Sequence, residues 1–528
     1  MTTLLQQLIF SSAQRHAQAP ALVYQGEVLS YQTLSERTLQ AAGALCKTGL
    51  GRSERMAIYL EKRIETVIGM FGAAAAGGVF VPVNPLLKPD QVAYILNDCN
   101  VGVLVTSAER LELLRPALPE CRDLRIVILI GSPVAMPQIE GVTIMRWDDF
   151  MSGETAAPHR VIDTDMTAIL YTSGSTGKPK GVVLSHRNMV AGAKSVAQYL
   201  ENHPSDRILC ALPLSFDAGF SQLTTSFHAG ACAVLMNYLL PRDVLEAVER
   251  ERITGLTAVP PLWIQLTQLK WPATITEHLR YIANTGGRMP KATLDLLRAA
   301  LPKTQPFLMY GLTESFRSTY LPPAEVDRRP DSIGKAIPNA EVLVVREDGT
   351  ACGPDEPGEL VHRGALVSLG YWNDAEKTAE RFKPAPNQPA GLVMPEIAVW
   401  SGDTVRKDAE GYLYFISRRD EMIKTSGYRV SPSEVEEVVY ATGMVGEAAA
   451  LGIPHPVLGQ AIVIIATSNG AAALDTGKLL AECRRRLPAY MVPALIRPSE
   501  KSLPRNPNGK IDRKLLAQGL QTLFESPQ

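Results

Sequence analysis

A chain of 528 residues is too long for one ordinary hydrophobic core, so two or more domains are expected. With 46% hydrophobic and 20% charged residues and a formal net charge of −1, it has neither a basic surface for nucleic acid nor an acidic tail. Its seven cysteines (Cys46, Cys99, Cys121, Cys210, Cys232, Cys352 and Cys483) are scattered and odd in number, without CxxC or metal-ligand spacing, which points to a reduced, cytoplasmic protein rather than a disulfide scaffold.

The N-terminus MTTLLQQLIFSSAQRHAQAP lacks the positive region and small-residue cleavage site of a secretory signal. Short apolar runs, RMAIYL, VGVLVTS and LRIVILIG, read as strands and alternate with helical patterns such as DQVAYILNDC, which predicts α/β architecture. The run Val67 to Val83, VIGMFGAAAAGGVFVPV, is short, broken by Gly-Gly and closed by Pro82; it reads as a buried helix entering a buried strand, so no membrane span is expected. KPAPNQPAGLVMP reads as an ordered surface excursion. Near residue 420 the pattern changes to a compact basic and apolar unit. There SPSEVEEVVYATG predicts a helix with Ser431 and Glu434 forming a capping box, Pro432 in the first turn, and Val435, Val438 and Val439 on its buried stripe. The expected division is 1–419 and 420–528.

Tyr171 to Gly181 reads YTSGSTGKPKG. It is not a Walker loop, because two residues separate Gly174 from Gly177 and Pro179 follows Lys178. Its chemistry is nonetheless that of a phosphate cradle: glycines admit backbone N–H groups, hydroxyls donate and lysines supply charge. A polar surface loop is the alternative for the segment taken alone. Four further segments follow in order: NTGGR (Asn284 to Arg288), YGLTE (Tyr310 to Glu314), SGDTVRKDAEGYLYFISRRDEMIKTSGYRVSP (Ser401 to Pro432) and PRNPNGKIDRKLL (Pro504 to Leu516). Together the five segments resemble the adenylate-forming superfamily of acyl-CoA synthetases, peptide-synthetase adenylation domains and luciferases, over nearly the whole chain.

The resemblance implies a large N-terminal adenylate-forming domain of layered sheets and helices and a small, mobile α+β C-terminal domain. It implies attack of a carboxylate on the α-phosphate of ATP, giving an acyl-adenylate and pyrophosphate, and then transfer to a thiol. Thr172, Ser173, Gly174, Ser175, Thr176, Gly177 and Lys178 would bind the β- and γ-phosphates. Glu314 would carry Mg²⁺, since a hard cation bridging phosphates needs few protein carboxylates, and Thr313 would contact the α-phosphate. Tyr310 and Gly311 on one side and Gly286, Gly287 and Arg288 on the other would enclose adenine. Asp403 and Arg418 would hold the ribose. Asp420 would be the hinge between two domain orientations, with Lys424 beside it and Gly427 lining a pantetheine tunnel; Glu421 stands where a second Asp is common, and Ser417 where Gly is usual. Lys510 would be the catalytic lysine.

For the acid, LPLSFDAGFSQLTTSFHAGA (Leu212 to Ala231) resembles amino-acid adenylation domains, in which the Asp217 position pairs with the substrate ammonium. A carboxylate buried among apolar groups is costly unless a cation meets it; the alternative is that Asp217 faces solvent or caps a turn. Carrying the amino-acid pocket over gives Asp217, Ala218, Ser221, Ala258, Ala283, Thr285, Met309, Arg317 and Ser318. Arg317 either binds a second acceptor on the substrate or turns to solvent. NPNGKIDRK resembles peptide-synthetase adenylation domains more than acyl-CoA synthetases, so phosphopantetheine on a separate carrier protein is the expected acceptor and free CoA the alternative. PEIAVWSGDTVRKDAEGYLYF also resembles bacterial exosortase-associated AMP-forming acyl-CoA ligases, a likeness that leaves the substrate open.

Overall fold

A computed structural model describes residues 2–131, 136–172, 179–389, 391–418, 422–425, 428–456, 458–470, 472–487, 489–506 and 509–524. Among these residues the strands form four sheets. The largest has nine strands and is mostly parallel through its centre, where Cys232–Leu235, Arg207–Cys210, Gly255–Ala258, Tyr281–Asn284 and Gln305–Tyr310 lie side by side. The second has seven strands. Its parallel part includes Arg55–Tyr59, Val79–Pro82, Val101–Ser107 and Ile126–Ile130, and it ends on the antiparallel pair Met166–Thr172 and Lys180–Ser185.

The expected strands and helices form, but Val438 is only half-buried in the helix Pro432–Tyr440, where Glu436 is buried instead. The apolar run from Val67 is the helix Ile64–Ala76 leading into the strand Val79–Pro82, and DQVAYILNDC lies in the helix Pro89–Asp98. Among the described residues no helix is long and apolar enough to cross a membrane. The helix Asp217–Ala229 is buried along most of its length and is clamped by rings: Phe220 stacks on Phe71 at 5.8 Å and meets Phe80 at 5.0 Å, while Phe227 meets Phe71 edge-on at 5.3 Å. Such aromatic contacts fix orientation as well as burying area. Phe80 thus ties the helix to the seven-stranded sheet, and Gln222, donating to the Leu209 carbonyl at 2.7 Å, ties it to the nine-stranded one.

A five-stranded sheet that includes Gly358–Gly364, Ile397–Lys407 and Leu413–Arg418 follows. The last sheet, built on Val445–His455 and Gly459–Ser468, packs on the helix Pro432–Tyr440 through Val435 and Val439. The expected capping box is absent there. The Ser431 hydroxyl has no partner among the described residues, because the Glu434 N–H goes to the Ser431 carbonyl at 3.2 Å instead. Glu436 sits on the buried face of that helix, where Arg513 binds both its oxygens at 2.8 Å. The expected boundary at residue 420 falls outside the described residues.

Candidate active site

The candidate residues gather where parallel strands of the nine-stranded sheet end. Asp217 follows the strand Arg207–Cys210, Ala258 ends Gly255–Ala258, Thr285 to Arg288 follow Tyr281–Asn284, and Gly311 to Glu314 follow Gln305–Tyr310. Crevices at the carboxyl ends of parallel strands are where open α/β sheets bind ligands. The seven-stranded sheet contributes a hairpin paired as far as Thr172 with Lys180, so the glycine-rich loop is delivered from a rigid base. Ser173, Gly174, Ser175, Thr176, Gly177 and Lys178 in that loop lie outside the described residues, as do Asp420, Glu421 and Gly427. Lys424 lies on the strand Ile423–Thr425.

One cavity is lined by Asn284, Gly287, Arg288, Met309, Asp331 and Phe415, among others. Asn284 donates to the Gly287 carbonyl at 2.8 Å and Arg288 pairs with Asp331 at 2.8 Å, so the glycine turn and its arginine are held in place. Tyr310 lies beside Phe415 with ring centroids 6.2 Å apart, and its hydroxyl donates to Asp403 at 2.5 Å. Arg418 donates through Nε to the other Asp403 oxygen at 3.0 Å. Burial pushes the Asp403 carboxyl above its ordinary range, against the pull of Arg418. A carboxylate offers about four acceptor positions, so two donors leave room for diol hydroxyls.

Glu314 lies on the short turn Thr313–Ser315, and the Tyr371 hydroxyl donates to its Oε1 at 2.5 Å. Lys180 lies over the Tyr371 ring, 5.4 Å from its centroid. Tyr371 thus holds a carboxylate at its hydroxyl and a cation at its face. Glu314 Oε2 accepts no hydrogen bond among the described residues, and a hard divalent cation shared with phosphate oxygens needs little more from a protein than one such oxygen. Among the described residues no group of three or more acidic, His or Cys side chains could hold a metal by itself.

A second cavity is lined by Ala218, Ser221, Gln222, Thr225, Met309 and Arg317, among others, so four of the residues expected in the acid pocket do meet. Asp217 is buried at the first position of its helix, where the dipole favours a negative charge. Its Oδ2 accepts from Arg317 Nη1 at 2.9 Å, and both side chains are shielded from solvent. Asp217 therefore does not face solvent, and Arg317 turns inward. Burial raises the Asp217 carboxyl; the charges of Arg317 and Lys510 oppose that. Ala258 and Ala283 are buried in the sheet and Thr285 just after its strand Tyr281–Asn284. Ser318 is directed elsewhere, its hydroxyl 2.9 Å from Ser315 Oγ and 3.1 Å from His362 Nδ1.

Lys510 reaches this pocket from the small unit. A Cβ on Gly286 would lie 3.6 Å from Lys510 Cε and 3.8 Å from Phe216, so glycine there leaves the lane the lysine occupies; its φ of +76° also favours glycine. The loop is anchored by the Asn506 and Lys510 backbones and by Arg505 on Glu447, while Arg288 approaches Glu437 at 3.7 Å. Asp331, Tyr371 and Phe415 were not picked out from the sequence. Each is brought in by sheet pairing or a loop distant in the chain, which leaves no local signal.

The model of the AMP-binding enzyme family matches residues 9–372, and that of the AMP-binding enzyme C-terminal domain matches 434–510. The chain is 30% identical to an L-proline–[L-prolyl-carrier protein] ligase of Pseudomonas fluorescens, over 98% of this chain and 99% of that one. It is 29% identical to a long-chain-fatty-acid–CoA ligase of Salmonella typhimurium, over 97% and 94%. Its fold matches an anthranilate CoA ligase, AuaEII, solved with anthranoyl-AMP, with a TM-score of 0.88 at 23% identity, covering 99% and 98% of the two chains. The chain belongs to the AMP-binding enzyme family and is an AMP-forming ligase.

Proposed function

We propose that this AMP-forming ligase activates an amine-bearing carboxylic acid and passes the acyl group to the phosphopantetheine thiol of a separate carrier protein. The observation that carries the reading is the Asp217 carboxylate, buried at the edge of the acid pocket with Oδ1 lacking any hydrogen bond among the described residues. A substrate ammonium supplies the missing donor. Near-full-length similarity to a carrier-protein ligase supports the acceptor.

In this reading a carboxylate oxygen forms a bond to the α-phosphorus and the bond to the bridging β-oxygen breaks, releasing pyrophosphate. Lys510, exposed above Gly286, would steady the charge that spreads onto the attacking and α-phosphate oxygens. Asp403 and Arg418 would bind the ribose, and Tyr310, Gly311, Gly286, Gly287 and Arg288 would enclose adenine. Thr313 would meet the α-phosphate, and the glycine-rich loop from Thr172 to Lys178 would hold the β- and γ-phosphates. Glu314 would hold Mg²⁺, which neutralises phosphate charge when bound. Asp420, Lys424 and Gly427 would serve the change of orientation that admits the thiol.

One observation favours a second reading, an acyl- or aryl-CoA synthetase using free CoA: Arg317 already neutralises Asp217, so a plain acid does not face an unpaired charge. Incubation with ATP, Mg²⁺, candidate acids and either CoA or a phosphopantetheinylated carrier separates the two, with mass spectrometry of the thioester. An aminoacyl-carrier product supports the proposal. A CoA thioester of a plain acid, with no carrier product, rejects it.

A further inference from the structure

Asp217 and Arg317 leave more hydrogen-bonding capacity over than they use. A single bond from Nη1 to Oδ2 joins them at 2.9 Å, and Nη1 also donates to the Phe316 carbonyl at 2.9 Å. Asp217 Oδ1 and Arg317 Nε are both buried without a partner among the described residues, and Thr225 Oγ1 on the wall of the same cavity shares that state. A buried ion pair joined at one point leaves much of the desolvation of both groups uncompensated.

The backbone holds Arg317 there under strain. Phe316 has φ of 57° and ψ of −45°, and the Arg317 N–H donates to the Ser315 carbonyl at 2.6 Å. That geometry is close to a γ-turn of the rare, strained kind, and strain of this sort persists where the surroundings over-determine it. The surroundings do so here. The Phe316 ring is fully buried against residue 192, where any Cβ would come within 2.5 Å of the ring; glycine is what fits.

On the ion pair itself the orphan atoms are one acceptor and one donor, and the pair is electrically neutral. The reacting carboxylate is committed to the α-phosphate, so an ammonium entering with no other anion would make two buried cations share one carboxylate. An ammonium entering with a second carboxylate gives Oδ1 its donor and Nε its acceptor, and it keeps the buried charge balanced. We infer that the substrate is an amino acid with a second carboxylate, Asp217 taking the ammonium and Arg317 reading the second carboxylate as a specificity-determining residue. This rests on the amine reading of Asp217 above and adds the substrate class to it.

The test is ATP–pyrophosphate exchange by the full-length enzyme with aspartate, glutamate and longer amino diacids, with asparagine, glutamine and neutral amino acids, and with diacids lacking the amine. One amino diacid is expected to exceed its amide or neutral analogue on the order of 10²-fold in kcat/KM. Arg317→Met should bring that ratio close to unity. Because Arg317→Met strands Asp217, the uncharged double variant Asp217→Asn/Arg317→Gln is compared alongside and should lose the preference too. Exchange with a neutral amino acid that Arg317→Met does not lower overturns the inference and leaves the amine reading standing. Exchange with no amino diacid also overturns it. Exchange confined to acids without an amine overturns both.

Discussion

Asp217 and Arg317 stand 100 residues apart in the chain and meet through one hydrogen bond of 2.9 Å, both buried, with Arg317 on the wall of the acid pocket. Removing one partner of such a pair strands the other charge, which typically costs about 3–5 kcal/mol, whereas neutralising both costs far less. Asp217→Asn and Arg317→Gln should each lower unfolding free energy by about that amount. Asp217→Asn/Arg317→Gln should recover most of it. Denaturant melts of the four proteins give the coupling energy directly; equal losses that simply add would show that the pair is not coupled.

Tyr371 holds Glu314 through its hydroxyl at 2.5 Å. Groups that orient a metal-binding side chain are typically worth 10- to 100-fold in metal affinity or activity. Tyr371→Phe should therefore slow pyrophosphate exchange about 10- to 100-fold and raise the Mg²⁺ concentration at which exchange is half-maximal. An unchanged Mg²⁺ titration would show that Glu314 keeps its place unaided.

Lys510 lies above Gly286, on the small unit, with its charge acting on Asp217. Lys510→Ala should cost on the order of 10²–10³ in adenylation, the scale of one lost charge donor at a developing oxyanion. Thiol transfer from a preformed acyl-adenylate should change far less. The two half-reactions are separable by supplying the adenylate; equal losses in both would contradict the assigned role.

Acid should unfold the protein through two histidines. Burial holds His186 and His362 at a pKa of about 4, below the ordinary 6.5; His186 Nδ1 accepts the Leu5 N–H at 3.1 Å and so must stay unprotonated. Between pH 6.5 and 4 the unfolded chain binds protons that the folded chain does not. Stability is therefore fully present above pH 6.5 and falls as pH drops, by about 1.4 kcal/mol per pH unit for each histidine. Urea melts at pH 7, 6 and 5 should show that slope, and His186→Gln should reduce it. A flat profile would contradict the burial of neutral imidazoles.

Much of this was legible in the sequence because its signals are local. The helix Ile64–Ala76, the strands of the seven-stranded sheet and the glycine turn at Gly286 each show in a short run of residues. The glycine-rich loop, YGLTE, SGD and PNGK segments identified the family on the same footing. What stayed hidden depends on distant partners or backbone geometry. Asp217 and Arg317 were each singled out, yet nothing local says that they pair; the bend at Phe316 that turns Arg317 inward carries no glycine or asparagine to announce it. Tyr371 reaches Glu314 across 57 residues. The capping box at Ser431 failed for the converse reason: its spacing is right, but the Glu434 N–H found the Ser431 backbone carbonyl.

The central claim is that Asp217 recognises a substrate amine. The most direct measurement compares ATP–pyrophosphate exchange for each candidate amino acid with its analogue lacking the amine, in the wild-type enzyme and in Asp217→Asn. The account predicts a preference for the amine on the order of 10²-fold or more in the wild type, largely lost in Asp217→Asn. Equal or better exchange with the analogue lacking the amine, unchanged by Asp217→Asn, would contradict it.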